Sequence, residues 1–161
     1  MRVALAAAAC LLAGCGGANA TPRVWLVDGH ESTLGMRGEL APVPRERART
    51  PARALAVLLL GPTTPEGETG LTTGIPRGTL VESVAVADGT ARVRLAGGGD
   101  LGVYGTAQVV YTLTDFPAVD RVVLTLDGRP CCLYRHSGRP VRGPLTRDDF
   151  RGWQGAPEPT K

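Results

Sequence analysis

The sequence predicts an α+β domain, a small mixed or antiparallel sheet of three to five strands with two helices packed on one face. Three observations predict it. The segment "TLVESVAVADGTARVRL" places Asp88-Gly89 between two runs of alternating character, which is a β-hairpin signal. Two other segments, Pro51–Leu60 and Leu101–Phe116, repeat their apolar residues at steps of three and four, as helices do. The order is strand, helix, hairpin, helix, strand and a short edge strand, which leaves one sheet face for the helices to cover.

The chain start sets the compartment. Met1-Arg2 is followed by "VALAAAACLLAG", an apolar run too short to span a bilayer comfortably. It closes on Leu12-Ala13-Gly14-Cys15, which fits a bacterial lipobox. On this reading residues 1–14 are a lipoprotein signal peptide, and Cys15 carries the lipid anchor. Residues 15–22 are a tether, 23–135 the domain, and 136–161 a Pro/Gly-rich C-terminal extension. An ordinary secretory cut after Ala18-Asn19-Ala20 is the alternative. Either way the mature chain is expected outside the cytoplasmic membrane, where disulfides form and nucleotides are scarce, and on the lipobox reading it is held at the extracytoplasmic face of that membrane.

The elements follow in order. "RVWLVDG" is a strand closed by Asp28-Gly29, and residues 30–49, with two prolines, read as a long connection whose tail "VPRERAR" is an extended edge or lead-in. Thr50 caps a helix with Pro51 in its first turn, Ala52, Leu55, Leu58 and Leu59 form its apolar face, and Gly61-Pro62 ends it. Residues 61–79, with five glycines, three prolines and six threonines, read as an ordered connection in preference to a binding loop. Leu71 and Ile75 are expected to tuck under the sheet, the threonines to satisfy backbone groups, and Glu66 and Glu68 to be solvated. In the hairpin, Val84 should face Val93 and Val86 face Ala91 on the buried side, with Ala85 and Arg92 on the wet side. Val103, Ala107, Val110 and Leu113 mark the second helix, which Pro117 stops. "RVVLTL" is a strand, Asp127-Gly128 a second hairpin turn, and "CCLYR" its return, held to a sheet edge by Pro130.

The chemistry is sparse. There is no phosphate-loop or dinucleotide motif, no G-x-S-x-G and no H-E-x-x-H, so no catalytic residue, metal site or cofactor is assigned. Asp28, His30 and Ser32 are too close along one turn to converge as a triad. Arginines are scattered among acids, Lys161 is the only lysine, and the net charge is +3, which gives no case for nucleic acid. With Cys10 in the signal and Cys15 lipidated, the adjacent Cys131 and Cys132 remain. They could close a vicinal disulfide, or pack as a buried Cys131 beside a more exposed Cys132.

The spaced motif of residues 59–79 resembles the GerMN domain of sporulation and spore germination proteins. The family pattern falls on Leu59, Gly61, Pro62, Thr63, Glu66, Gly70, Leu71, Thr73, Ile75, Pro76, Gly78 and Thr79, then on Val110, Thr112, Leu113 and Thr114. "PLTRDDF" is similar to tails of such domains in actinobacterial lipoproteins. The resemblance implies a fold like the ring-building motif of secretion and sporulation complexes. It further implies a non-catalytic envelope lipoprotein, held to the membrane through Cys15, that assembles with other, unidentified envelope proteins. A rival reading makes the chain a binder of small ligands or peptidoglycan fragments through residues 61–79.

Overall fold

The computed structural model describes residues 21–30, 37–131 and 143–153. Its strands lie in two sheets. The first has the order β2-β1-β3, from β1 (Arg23–His30), β2 (Arg37–Pro44) and the two-residue β3 (Leu71–Thr72). The second has the order β4-β5-β6-β7, from β4 (Leu80–Ala87), β5 (Thr90–Ala96), β6 (Arg121–Leu126) and the two-residue β7 (Arg129–Pro130). Between the sheets run α1 (Pro51–Leu59) and α3 (Gly102–Leu113), while the short α2 (Thr64–Glu68) lies in the 61–79 segment. The helices pack on each other and both meet β1; α1 packs against β4 and α3 against β6.

The α+β class therefore holds, with a second sheet added to the expected one. Its source is β2, where the sequence indicated a connection with an extended edge only at Val43–Arg49; the edge strand instead covers Arg37–Pro44 and a turn follows it. Pro42 and Pro44 argued against a paired strand, yet they lie opposite Trp25 and Arg23 on an edge strand. Trp25 directs its own backbone away from β2, so Pro42 occupies a pair that exchanges no hydrogen bond, and Pro44, two residues on, shares that phase. The missing N–H groups therefore leave the ladder whole. β1 runs on through His30, past the expected stop at Gly29.

The second sheet follows the expected register. Val84 pairs with Val93, Ala85 with Arg92, Val86 with Ala91 and Ala87 with Thr90. Both hairpin turns have positive φ at their two central residues, 49° and 70° at Asp88-Gly89 and 49° and 72° at Asp127-Gly128, as a type I′ turn requires. β5 and β6 are parallel, joined through α3. Ala91, Val93 and Leu95 of β5 are buried with Val122, Leu124 and Leu126 of β6. On the edge strand β4 burial is weaker, and Val86 stays 39% exposed.

The helices differ from the expectation in which faces they bury. Thr50 caps α1 by accepting from the Arg53 amide, but Ala54, Leu55 and Leu58 form the inner face and Ala52 is exposed. In α3 every residue from Gly105 to Leu113 is buried, well beyond a single stripe. A helix enclosed by two sheets and a second helix needs apolar or neutral residues all round, and α3 contains no charged residue. The C-terminal extension also joins the core: Leu145 bridges to Val122, and Phe150 of the 3-10 segment Arg147–Trp153 is fully buried.

Gly89→Val tests the hairpin. A β-branched residue at φ 70° is strained, and a Cβ there would run into the Asp120 carboxylate. The expected loss is about 2 kcal/mol, read as a lowered melting temperature; an unchanged melting temperature would contradict the turn geometry.

Candidate interaction surface and the loop that frames it

Residues 61–79 are pinned at every turn. Gly61, at φ 72°, terminates α1, and its amide donates to the Leu58 carbonyl. Pro62 is half-buried, and Thr63 begins α2 in a capping box whose N3 residue is Glu66. The Glu66 carboxylate accepts from the Thr63 amide at 2.8 Å and from both terminal nitrogens of Arg45 at 2.7 and 2.6 Å. Glu66 is thus half-buried and paired, where solvation was expected, because Arg45 leaves the end of β2 directly across from α2. Its pKa is lowered from 4.5 to about 2, chiefly by the Arg45 hydrogen bonds. Glu68 is exposed, as expected.

Beyond α2, Gly70 at φ 96° turns the chain, and its carbonyl accepts from Gly29. Leu71 pairs with Asp28 at the sheet edge and is half-buried; Ile75 is buried in the core. Thr79 bonds back to the Pro76 carbonyl through both its amide and its hydroxyl, with Gly78 at φ 84° between them. The motif residues thus hold a connection in place and do not converge on one pocket.

The residue that fastens this connection is Gln108 of α3, which sequence reading passed over. Its side chain is fully buried. Its Oε1 accepts from the Gly74 amide at 2.7 Å and the Thr73 hydroxyl at 3.2 Å, and its Nε2 donates to the Trp25 carbonyl at 2.9 Å. One turn along, Thr112 Oγ1 accepts from the Trp25 amide at 3.0 Å. Gly74 and Gly105 allow the approach, since a Cβ on either would come within 2.8 Å of the other's backbone. The available signal was the absence of charge from the whole of α3, which marks its polar residues as interior.

A second cluster, also missed, docks the C-terminal segment. Asp115, just past α3, accepts from Arg23 at 2.9 Å and from Arg147 at 3.1 Å. Burial pushes its carboxyl up, but the bonds from the two arginines outweigh that and hold it below the usual range. The same pairing raises the Arg23 guanidinium, first through its hydrogen bond to Asp115. Arg147 lies 4.8 Å over Tyr111 and 5.2 Å over Trp25, and its Nε donates to Thr114. Thr112 and Thr114 of the recognised motif therefore have separate structural partners.

Of the cysteines, Cys131 is buried and disulfide-bonded, and its amide donates to the Leu124 carbonyl. Cys15 and Cys132 lie outside the described residues. Among the described residues no three His, Cys, Asp or Glu side chains group to hold a metal, and no helix is long and apolar enough to cross a membrane.

What the surface offers is an edge. β2 carries two prolines, and β3 and β7 are two residues long. β4 has eight residues, no proline, and, among the described residues, a ladder partner on one side only. A bulge at Glu82 breaks its register, and Glu82 pairs with Arg94 at 3.4 Å. Leu80 at its start is 64% exposed, and Leu60, at the end of the helix packed beside it, is 82% exposed. On the outer face of the same sheet a shallow depression of about 400 Å³ is lined by Arg92, Arg94, Val123 and Thr125. None of its lining comes from residues 61–79.

Glu66→Gln should cost about 1–2 kcal/mol near neutral pH, since it weakens charge-assisted bonds that Arg45 cannot replace. The folded-state pKa is depressed, so this stabilisation is present above 4.5 and disappears as pH falls through about 2. Urea midpoints of the two chains, measured across that range, should converge at the acid end. Equal midpoints at neutral pH would show that the ion pair is idle.

The family model for sporulation and spore germination, Germane, matches residues 26–132. Among solved structures, the tandem GerMN domains of the sporulation protein GerM from Bacillus subtilis align with a TM-score of 0.59 at 18% identity, over 84% of this chain and 50% of that one. This chain thus spans about half the length of that tandem structure. The first GerMN domain of the same protein aligns with a TM-score of 0.51 at 22% identity, over 78% of this chain and 96% of that one. No curated protein matches. With well over half of the chain inside the family model and the fold shared with both structures, the protein belongs to the Germane sporulation and spore germination family.

Proposed function

We propose that this chain is a non-catalytic envelope lipoprotein, anchored through Cys15, whose domain works by assembly with another envelope protein along the edge of β4. The observation that carries the reading is that edge: a long, proline-free strand with open backbone groups, in a fold whose other edges are short or blocked by proline. Support for an assembly role over a lid comes from the loop. A lid must leave its resting place, and residues 61–79 are fastened by Gln108, by the Arg45–Glu66 pair and by the burial of Ile75.

The register supplies a specific test. Ala87 and Thr90 close the two-residue hairpin, so Val84 and Val86 alternate with the ladder-bonded residues and point their N–H groups away from β5. Val86→Pro removes an outward donor while sparing the β4–β5 ladder, so stability should fall by no more than about 1 kcal/mol. A photo-crosslinker at Ala85 should capture an envelope partner in cells, and Val86→Pro should abolish the adduct. An adduct that survives in the folded variant would reject the edge. The anchor is tested apart from it: Cys15→Ala should prevent lipid attachment, and a membrane-bound mutant of normal mature mass would reject the lipobox.

A further inference from the structure

We infer that the turn after β2, together with the first turn of α1, is a membrane-facing surface, in which Arg47, Arg49 and Arg53 lay the domain against anionic lipid headgroups. The inference rests on the lipid-anchor reading for its geometry, and on the following placement for its chemistry. The described chain begins beside this turn: Arg23 pairs with Pro44, and the Arg45 amide donates to the Pro22 carbonyl at 2.7 Å. Only seven residue steps, through six intervening residues, separate Cys15 from Pro22. Fully extended they reach about 25 Å, so a lipid on Cys15 keeps Pro22 within that distance of the bilayer. The Ala48 amide folds back to the Arg45 carbonyl, and the Arg45 amide is bonded to Pro22, so the turn that carries Arg47 and Arg49 sits beside the start of the described chain.

The charge at this place is suited to that surface. The stretch Arg45–Arg53 holds four arginines and one acid, Glu46. Arg45 is consumed by Glu66. Arg47, Arg49 and Arg53 are exposed, and none makes an ion pair with a described acid; Arg49 bonds only the Glu46 carbonyl. Ala48 is fully buried and Thr50 caps α1, so the backbone that presents these side chains is fixed. Three cations, two on a rigid turn and one on the helix that follows it, lie beside the point where the tether leaves and are placed to add to the lipid's hold and to orient the domain. The edge of β4 then projects from a domain of set orientation.

The test uses the mature chain from position 15 with Cys15→Ser, which keeps every element of the fold and carries no lipid. Co-sedimentation is measured with vesicles of phosphatidylglycerol and phosphatidylcholine in equal parts, and with phosphatidylcholine alone. The chain should bind the anionic vesicles only, and should be released as salt is raised to about 0.5 M. Each basic residue near such a surface contributes about fivefold in partitioning. The triple variant Arg47→Gln, Arg49→Gln, Arg53→Gln should therefore partition at least tenfold more weakly. A control with Arg92→Gln, Arg94→Gln and Arg121→Gln carries the same net charge and should bind as the parent does. Equal loss in the two triple variants, or no preference for anionic vesicles, would overturn the inference. Mass analysis of the Cys15 peptide from cells reports on the anchor alone, so a failure of either claim is seen separately.

Discussion

Everything in this fold depends on a side chain that ties a helix to strand backbone. At Trp25 the ladder of the first sheet runs out, because β3 pairs only with Val27 and Asp28. Two α3 side chains, Gln108 and Thr112, take the place of the missing strand by bonding the Trp25 carbonyl and amide. They lie four residues apart and so share a face of the helix. Gln108 then spends its oxygen on Gly74 and Thr73, which fixes the connection between α1 and the hairpin. Burying a neutral amide is tolerable only when its donors and acceptors are met, and here one residue meets three groups from two segments.

That constraint decides which parts of the molecule are available for function. With the 61–79 connection immobilised, its motif of glycines, prolines and threonines becomes framework, and the free chemistry lies elsewhere. Among the described residues the long edge of β4 has no second strand beside it, and the turn after β2 with the start of α1 presents three arginines that make no ion pair. The C-terminal segment closes the opposite flank of α3, where Arg147 stacks on two aromatic rings and shares Asp115 with Arg23. Trp25 takes part in both networks, through its backbone with Gln108 and through its ring with Arg147. Its indole Nε1 is buried without a hydrogen-bond partner among the described residues, a cost that ring packing against Tyr111 and Arg147 offsets.

Legibility in the sequence followed the range of the interactions. The β4–β5 register was readable residue by residue because Asp88-Gly89 fixes it locally, and α1 was readable from Thr50-Pro51 and Gly61. β2 was hidden because proline counts against strands in general, and only the phase of Pro42 and Pro44 against β1 shows that they are harmless. The Arg45–Glu66 pair joins residues 21 apart through the placement of α2, which no local pattern encodes. Leu145 and Phe150 sit in the Pro/Gly-rich extension, whose composition does not mark which of its apolar residues dock, yet each fills the core. The helix α3 was found by its apolar steps and misjudged in its surroundings, because those steps record one face and not the lack of charge on the others.

The most direct measurement of the central claim is native-state hydrogen exchange at the Gly74 amide in the parent chain and in Gln108→Leu. Leucine nearly fills the volume and removes only the bonds, so the Gly74 N–H, the Trp25 carbonyl and the Thr73 hydroxyl would lose their partner. At about 1–3 kcal/mol for each of the three groups left unmet, the loss should be at least about 3 kcal/mol. The Gly74 amide, protected in the parent up to global unfolding, should then exchange through local opening of residues 71–79. A Gln108→Leu chain with parental stability and unchanged Gly74 protection would contradict the account.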